Sequence, residues 1–228
     1  MQINDEMDES FAYFYNDEGF GPAIQTTAVA ARTIEKFRGK LPDKLLRYWR
    51  EHGWSGYGKG LFWLVDPDEY EPALEAWIGD TPLMERDAYF VIARSAFGEL
   101  FLWGTKSGGG MTVKSLWGMI FPRDSSELVA QGKSDRLVES FIVGMDKAAL
   151  DQKDDFDKPL FERAIQALGP LAADEMYGFE PALVLGGKAD FKNLRKMKSV
   201  PHLVLLAQLG ERKIMRDIVK DAKAQGLM

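Results

Sequence analysis

Aromatic side chains are concentrated in the first half of this 228-residue chain, and this asymmetry limits how the chain can fold. All six tryptophans lie between residues 49 and 117, and 21 of the 27 aromatic residues precede residue 122. Large aromatic side chains dominate protein cores. We therefore expect one aromatic-rich module over residues 1–122 and a second, aromatic-poor module over residues 134–228. The stretch between them has the composition of a linker.

Hydrophobic patterning predicts an α+β fold for the first module. The segments that have strand length and apolar character are residues 61–65, 88–94, 99–104, 111–115 and 117–121. The connections between them are too short for helical crossovers. We therefore expect an antiparallel sheet with flanking helices.

Helix signals surround these strands. Pro42 begins a predicted helix that ends at Gly53. The glycine-rich residues 53–60 are predicted to be a loop. Asp66 is a predicted N-cap, and Glu69 occupies the capping-box position of a further helix.

The second module is predicted to be mainly helical. Apolar residues recur at helical spacing over residues 137–145, 160–168 and 214–222. Residues 182–187 are predicted to form a short strand and a turn.

Several classes of site are excluded by composition. The chain contains no cysteine, which excludes disulfides, Cys-ligated zinc and thiol nucleophiles. The acidic N-terminus does not fit a secretory signal, and no apolar run has the length of a membrane span. We therefore expect a cytoplasmic protein with no cofactor, no metal and no membrane partner.

Residues with catalytic potential do not form a convincing constellation. His52 and His202 lie far apart in the sequence and lack metal-ligand spacing. Ser55 lies in a sequence that resembles a nucleophile elbow, but Tyr57 replaces the second glycine. The aspartates within residues 151–157 lack the glycine of a calcium loop and are expected to cap helices. We therefore predict that the protein is not an enzyme.

Charge is unevenly distributed along the chain. The net charge of −6 equals that of residues 1–20, which contain six acidic and no basic residues. Residues 66–87 contain eight acidic residues and one arginine, and residues 188–220 contain nine basic and three acidic residues. The basic stretch either pairs internally or binds an acidic surface. A sequence pI near 5.1 argues against nucleic-acid binding through phosphate contacts.

The acidic segments have two interpretations. They are solvated residues that help to start helices, or they form a negative surface that steers a positively charged partner. Under the second interpretation the binding residues are Asp66, Asp68, Glu69, Glu71, Glu75, Asp8 and Glu9.

A series of short motifs marks the C-terminal third. They occupy residues 168–171, 174–183, 185–187, 202–203 and 207–209. This series resembles the C-terminal domain of bacterial proteins that begin with a GAD-like (glutamyl-tRNA amidotransferase-related) domain. Residues 20–22, 41–42, Trp49, Gly53 and residues 62–77 are consistent with that N-terminal domain. The motif positions are Tyr177, Gly178, Phe179, Pro181, Gly186 and Gly187, with the glycines expected in turns and the other three in packing.

The resemblance implies an immunity protein of a type VI secretion system. Such a protein binds and neutralises a cognate toxin, often a nuclease, by protein–protein inhibition. Nuclease clefts are basic because they hold phosphate, so an acidic surface suits such a partner. Two alternatives remain open: a small-molecule regulatory sensor with Trp54, Tyr57 and Trp103 near a glycine-rich pocket, and a hydrolase that uses Ser55 and His52.

Overall fold

An eight-stranded sheet forms the centre of the computed structural model, which describes residues 7–217 and residue 221. A separate two-stranded sheet lies in the C-terminal part. The strands are β1 (Ile24–Thr27), β2 (Trp54–Tyr57), β3 (Phe62–Leu64), β4 (Tyr89–Ser95), β5 (Glu99–Gly104), β6 (Gly108–Lys114), β7 (Met119–Phe121), β8 (Glu175–Phe179), β9 (Leu194–Lys198) and β10 (Lys213–Ile214).

The large sheet is an antiparallel meander from β1 to β7, which confirms the predicted architecture. β10 extends the sheet beyond β7 and pairs with it in parallel. A parallel pair needs a long connection, and here the whole C-terminal part of the chain between β7 and β10 supplies it. β8 and β9 form the antiparallel two-stranded sheet.

Helices pack around both sheets, so the fold is α+β as expected. They are α1 (Glu9–Ala12), which continues into a π-helical turn (Tyr13–Asp17), α2 (Ala31–Phe37), α3 (Asp43–His52), α4 (Glu71–Ile78), α5 (Pro82–Arg86), α6 (Ser126–Ala130), α7 (Ser134–Val143), α8 (Lys147–Leu150), α9 (Phe161–Leu168) and α10 (Ser199–Leu209). Among the described residues, no helix has the length and apolar character needed to cross a membrane.

Adjacent residues of β3 show which elements cover each face of the large sheet, because successive strand residues point to opposite faces. Phe62 contacts Phe14 near α1 and Phe141 of α7, with ring centroids 5.8 and 6.0 Å apart. Trp63 faces the other side, where the Arg94 guanidinium lies 5.0 Å from its ring. α1 and α7 therefore lie on one face, and the elements that contact Arg94 lie on the other.

The two predicted modules share one hydrophobic cluster. It includes Phe62 and Phe101 from the large sheet together with Val138 and Ile142 from α7. Phe101 and Phe141 also pack directly, with ring centroids 5.6 Å apart. The residues that follow the predicted linker are thus built into the core formed by the residues before it.

Residues 53–60 are not the predicted loop. They form β2 and a short 3₁₀ turn (Gly58–Gly60). Their glycines serve close packing: a Cβ on Gly56 would lie 2.8 Å from the Trp63 ring. Glycine composition alone does not distinguish a loop from a strand that must approach a large neighbour closely.

The helix predicted to begin at Asp66 begins instead at Glu71. Asp66 Oδ1 accepts a hydrogen bond from the Asp68 backbone N–H (3.0 Å) and stabilises a turn. Pro72 occupies the first turn of α4, where a missing N–H costs no intrahelical hydrogen bond. The proline nearest the helix, rather than the earlier Asp-Pro pair, marks the start.

Two predictions for the C-terminal part are also wrong. The segment expected to be a strand over residues 182–185 is a 3₁₀ turn (Leu183–Leu185). A helix was expected over residues 214–222, but its first residue, Ile214, belongs to strand β10 and pairs with Ile120 of β7. Residues 218–220 and 222 of that predicted helix lie outside the described residues.

Candidate functional site

The acidic segment 66–75 is fastened to the sheet by a buried arginine. Arg94 is fully buried on β4, and its Nε donates a hydrogen bond to the Tyr70 hydroxyl (2.7 Å). The same hydroxyl lies 3.1 Å from Ser199 Oγ at the start of α10. Arg94 also donates to the Ala173 carbonyl (2.7 Å). The acidic segment therefore has a rigid base that joins the sheet to the C-terminal part.

The carboxylates of the segment 66–75 differ in whether they form an ion pair. Asp68 forms an ion pair with Lys36 (2.5 Å). Glu69, Glu71 and Glu75 are exposed, and none forms an ion pair with a residue that the structure describes. These three glutamates, which we call the free glutamates, are the ones available to a partner.

Electrostatics within the segment favours a cationic partner. Burial raises the pKa of Glu69, and the charges of Asp66 and Asp174 raise it further. Burial also raises the pKa of Asp66. Carboxylates that are partly desolvated beside one another repel, and a nearby cation relieves that repulsion.

Two other acids in residues 66–87, Asp80 and Asp87, already have partners. Asp80 forms a bidentate ion pair with Arg212, with both N–O distances 2.7 Å. Asp87 is buried and accepts hydrogen bonds from the hairpin loop between β5 and β6, including the Ser107 N–H (2.7 Å) and the Thr105 hydroxyl (2.7 Å). These two carboxylates stabilise the fold.

Within the described part of the chain, six of the nine basic residues in the stretch 188–220 form internal ion pairs, in line with one of the two expected outcomes. Its ion pairs are Lys192–Asp190, Arg195–Glu180, Lys196–Glu175, Lys198–Asp174, Arg212–Asp80 and Arg216–Asp221.

The structure does not bring Asp8 and Glu9 together with the free glutamates, because α1 lies on the opposite face of the sheet. Asp8 accepts hydrogen bonds from Lys44 Nζ (2.7 Å) and the Tyr48 hydroxyl (2.6 Å). Burial raises the pKa of Asp8, but these hydrogen bonds outweigh burial and hold it below its ordinary value. Glu9 is exposed at the start of α1.

The family motif lies mostly in the core. Tyr177 packs against Phe97 and Phe161 and donates a hydrogen bond to the Gly169 carbonyl (2.6 Å). Phe179 is buried. Gly178 lies inside β8 rather than in a turn, and a Cβ there would lie 2.6 Å from His202 Nε2.

The rest of the motif forms a turn after β8. Gly186 has a φ of +83°, which glycine adopts at little cost. A Cβ on Gly187 would lie 2.2 Å from the Pro181 carbonyl oxygen, so the chain passes itself closely here. Pro181 is exposed, contrary to the packing role expected for it.

The contacts of His52, His202 and Ser55 are those of residues that stabilise the fold. His52 stacks on Phe11 with ring centroids 3.9 Å apart, and burial lowers its pKa. Burial also lowers the pKa of His202. Ser55 is fully buried in β2, and its Oγ lies 2.8 Å from Thr26 Oγ1 and 2.9 Å from the His52 carbonyl oxygen. The hydroxyl therefore contacts the His52 backbone and not its imidazole.

The aromatic residues proposed for a sensor pocket are not assembled into one. Tyr57 and Trp103 are buried. β2, which carries Trp54 and Tyr57, is separated from β5 by two strands, or roughly 14 Å. The prediction of a pocket lined by these three aromatic residues is therefore wrong.

The aspartates of residues 151–157 act as caps and ion-pair partners. Asp151 Oδ1 accepts from the Phe161 N–H at the start of α9 (2.9 Å), and Asp154 pairs with Arg163 (2.6 Å). Across the described ranges, no group of three or more His, Cys, Asp or Glu residues is arranged to hold a metal.

Two family models cover most of the chain. Residues 9–117 match the GAD-like domain, and residues 135–210 match the T6SS immunity protein Tdi1, C-terminal. The chain belongs to the GAD-like type VI secretion immunity protein family. Membership supports an immunity role, and the family motif described above is part of the fold of its C-terminal domain.

Structural comparison finds a solved protein with the same fold. The crystal structure of Atu4351 from Agrobacterium tumefaciens superposes with a TM-score of 0.77, covering 88% of this chain and 91% of that chain. The two sequences are 20% identical, so the likeness shows the shared fold alone. No curated protein matches the sequence significantly.

Sequence patterns did not identify two residues that join the family domains. Arg94 lies one residue before the end of the largely apolar strand β4, and a charged residue in that position is a signal for a buried polar partner. Gln25 of β1 donates to the Leu171 carbonyl (2.9 Å) and accepts from the Ala173 N–H (2.9 Å). Its partners are 146 and 148 residues away, and nothing local to Gln25 predicts them.

Proposed function

We propose that this protein neutralises a cognate type VI secretion toxin by stoichiometric binding, without catalysis, and that the toxin carries a basic nuclease domain. Membership of the immunity family supports the general role. The observation that carries the finer proposal is the set of free glutamates, Glu69, Glu71 and Glu75, on a rigid base. They make the segment 66–75 the surface offered to the toxin.

The rigid base matters because binding is weakened by ordering of flexible groups. Tyr70 is held by Arg94 and Ser199, so the backbone that carries the free glutamates is fixed before a partner arrives. Fixed carboxylates of one sign steer a basic partner and raise its association rate. Asp66 adds to the same negative surface, whereas the charge of Asp68 is neutralised by Lys36.

Charge reversal tests this surface. The toxin is sought in the adjacent reading frame, and its association with the Glu69→Lys/Glu71→Lys variant is measured at several salt concentrations. We expect association at low salt to slow by roughly tenfold or more and the salt dependence to flatten.

The matched control is Asp17→Lys/Asp155→Lys, which makes the same change in net charge at two exposed positions. This control should bind as the wild type does. Equal association rates for both double variants and the wild type contradict the acidic surface but leave toxin binding intact. Failure of the wild-type protein to rescue cells that express the toxin contradicts the immunity function for that toxin.

A further inference from the structure

A cleft lies between the two family domains, on the side of Gly19 and α8. Its volume is about 440 Å³, which is within the range of roughly 300–1,000 Å³ typical of small-molecule sites. One wall comes from the GAD-like part, from the loops around Gly21 and Gly58. The other comes from α8 and the start of α9, including Ala148 and Phe161.

The walls are mostly apolar and held in place. Pro22, Leu61, Ala148 and Phe161 supply apolar surface. The two glycine loops are tied together by a hydrogen bond from the Gly58 N–H to the Phe20 carbonyl. Such a cleft needs no rearrangement before it can accept a flat, apolar body.

Among the described residues, one lysine and one carboxylate of the cleft, Lys147 and Asp151, form no ion pair. Lys59 pairs with Glu162 (2.9 Å), and Asp151 accepts from the Phe161 N–H (2.9 Å). Lys147 Nζ donates to the Gly19 carbonyl (2.7 Å) and lies 5.2 Å from the centre of the Phe20 ring. It has no carboxylate partner within the described part of the chain.

The ammonium group of Lys147 is fixed in position by its contacts with Gly19 and Phe20. Lysine side chains on a surface generally extend into water, but this one folds back over the glycine loop. Lys147 has three N–H donors. One donates to the Gly19 carbonyl, so two remain for a ligand. A side chain at residue 19 would crowd the ammonium, because a Cβ there would lie 3.1 Å from Nζ.

We propose that this cleft binds a small organic anion, whose apolar body lies between the glycine loops and Phe161 and whose carboxylate, sulfonate or phosphate group contacts Lys147. This site is separate from the acidic surface of the proposed function and does not depend on it. A ligand in the cleft contacts both family domains at once, so its binding stabilises their junction.

The test uses 8-anilinonaphthalene-1-sulfonate, an aromatic sulfonate whose fluorescence rises in an apolar site, and N-phenyl-1-naphthylamine, which has the same rings without the charge. We expect saturable sulfonate binding at one site per chain. Lys147→Gln should raise the sulfonate Kd roughly tenfold, as loss of a charged hydrogen bond does, and leave the Kd of the neutral amine unchanged. Ala148→Trp should abolish binding of both probes by filling the cleft.

Matched controls are Lys158→Gln and Ala149→Trp. Lys158 and Ala149 are exposed, and neither lines the cleft. Both control variants should bind both probes as the wild type does. Thermal unfolding of each variant confirms that it is folded, since the sulfonate also binds partly folded states that expose apolar surface. Absence of one-site binding to the folded wild type overturns the proposal, as does unchanged sulfonate binding in folded Ala148→Trp or Lys147→Gln.

Discussion

Arg94 is the position at which a substitution should most clearly reveal how the two family domains are joined. It is fully buried, and among the described residues no carboxylate forms an ion pair with it. Its guanidinium is satisfied by the Tyr70 hydroxyl, by the carbonyls of Ala173 and Ser95, and by the Trp63 ring. A planar group with five N–H donors can make all of these contacts at once.

Two replacements separate the charge from the geometry. Arg94→Lys keeps a buried charge but loses the fork, so at least two charge-assisted hydrogen bonds are lost. At about 1.5–3 kcal/mol each, the free energy of unfolding should fall by roughly 3–6 kcal/mol. Arg94→Met removes the charge together with its desolvation penalty. It leaves mainly the Ala173 carbonyl unsatisfied, at about 1–3 kcal/mol.

Lysine should therefore be worse than methionine at residue 94, although it is the closer chemical relative. Urea unfolding followed by tryptophan fluorescence measures both variants, and limited proteolysis near Ala173 reports whether the junction opens. If Arg94→Lys is as stable as the wild type, or more stable than Arg94→Met, the buried fork does not hold the junction and the reasoning fails.

Two further substitutions test packing and charge. Gly178→Ala should destabilise the fold by about 1–3 kcal/mol, because its Cβ would lie 2.6 Å from His202 Nε2. The cost should shrink in a His202→Ala background, and an equal cost in both backgrounds excludes this clash. Asp8→Asn should lose the ion pair with Lys44. Because the folded pKa of Asp8 is lowered, the stability advantage of the wild type should be full at neutral pH and decline as the pH falls below 3.8. A difference in urea midpoint between the wild type and Asp8→Asn that does not change with pH contradicts this account of Asp8.

Local patterns predicted those parts of the fold that local chemistry decides. The apolar runs before and after Gly98 gave the β4–β5 hairpin, and Pro42 and Gly53 gave the ends of α3. In each case the signal and the structure it specifies lie within a few residues of each other.

Two of the wrong predictions concern residues whose conformation depends on distant neighbours. Gly56 belongs to a strand because Trp63 and Ile24 approach it. Ile214 belongs to a strand because the edge of β7 is free to pair with it. A helical period or a glycine count carries no information about such a neighbour, so sequence alone did not reveal either element.

The same limit applies to the candidate site. Sequence composition identified the acidic segment, but it did not show that Lys36 already neutralises Asp68. It did not show that Asp8 and the free glutamates lie on opposite faces of the sheet. A charge count treats all carboxylates alike, whereas the structure divides them into paired and unpaired groups.

The proposed binding surface and the buried arginine lie on the same segment, so their effects must be separated. Arg94 is buried beneath the segment and donates a hydrogen bond to Tyr70, whereas Glu69 and Glu71 are exposed to solvent. Arg94→Met should reduce immunity mainly by lowering the folded fraction, and the association rate per folded molecule should fall far less than it does in the charge-reversal variant, because the glutamates keep their charge. Glu69→Lys/Glu71→Lys should do the reverse, since surface substitutions are usually within about 0.5 kcal/mol of wild-type stability. If both variants lower the association rate of the folded protein equally, the free glutamates do not act as a separate electrostatic surface.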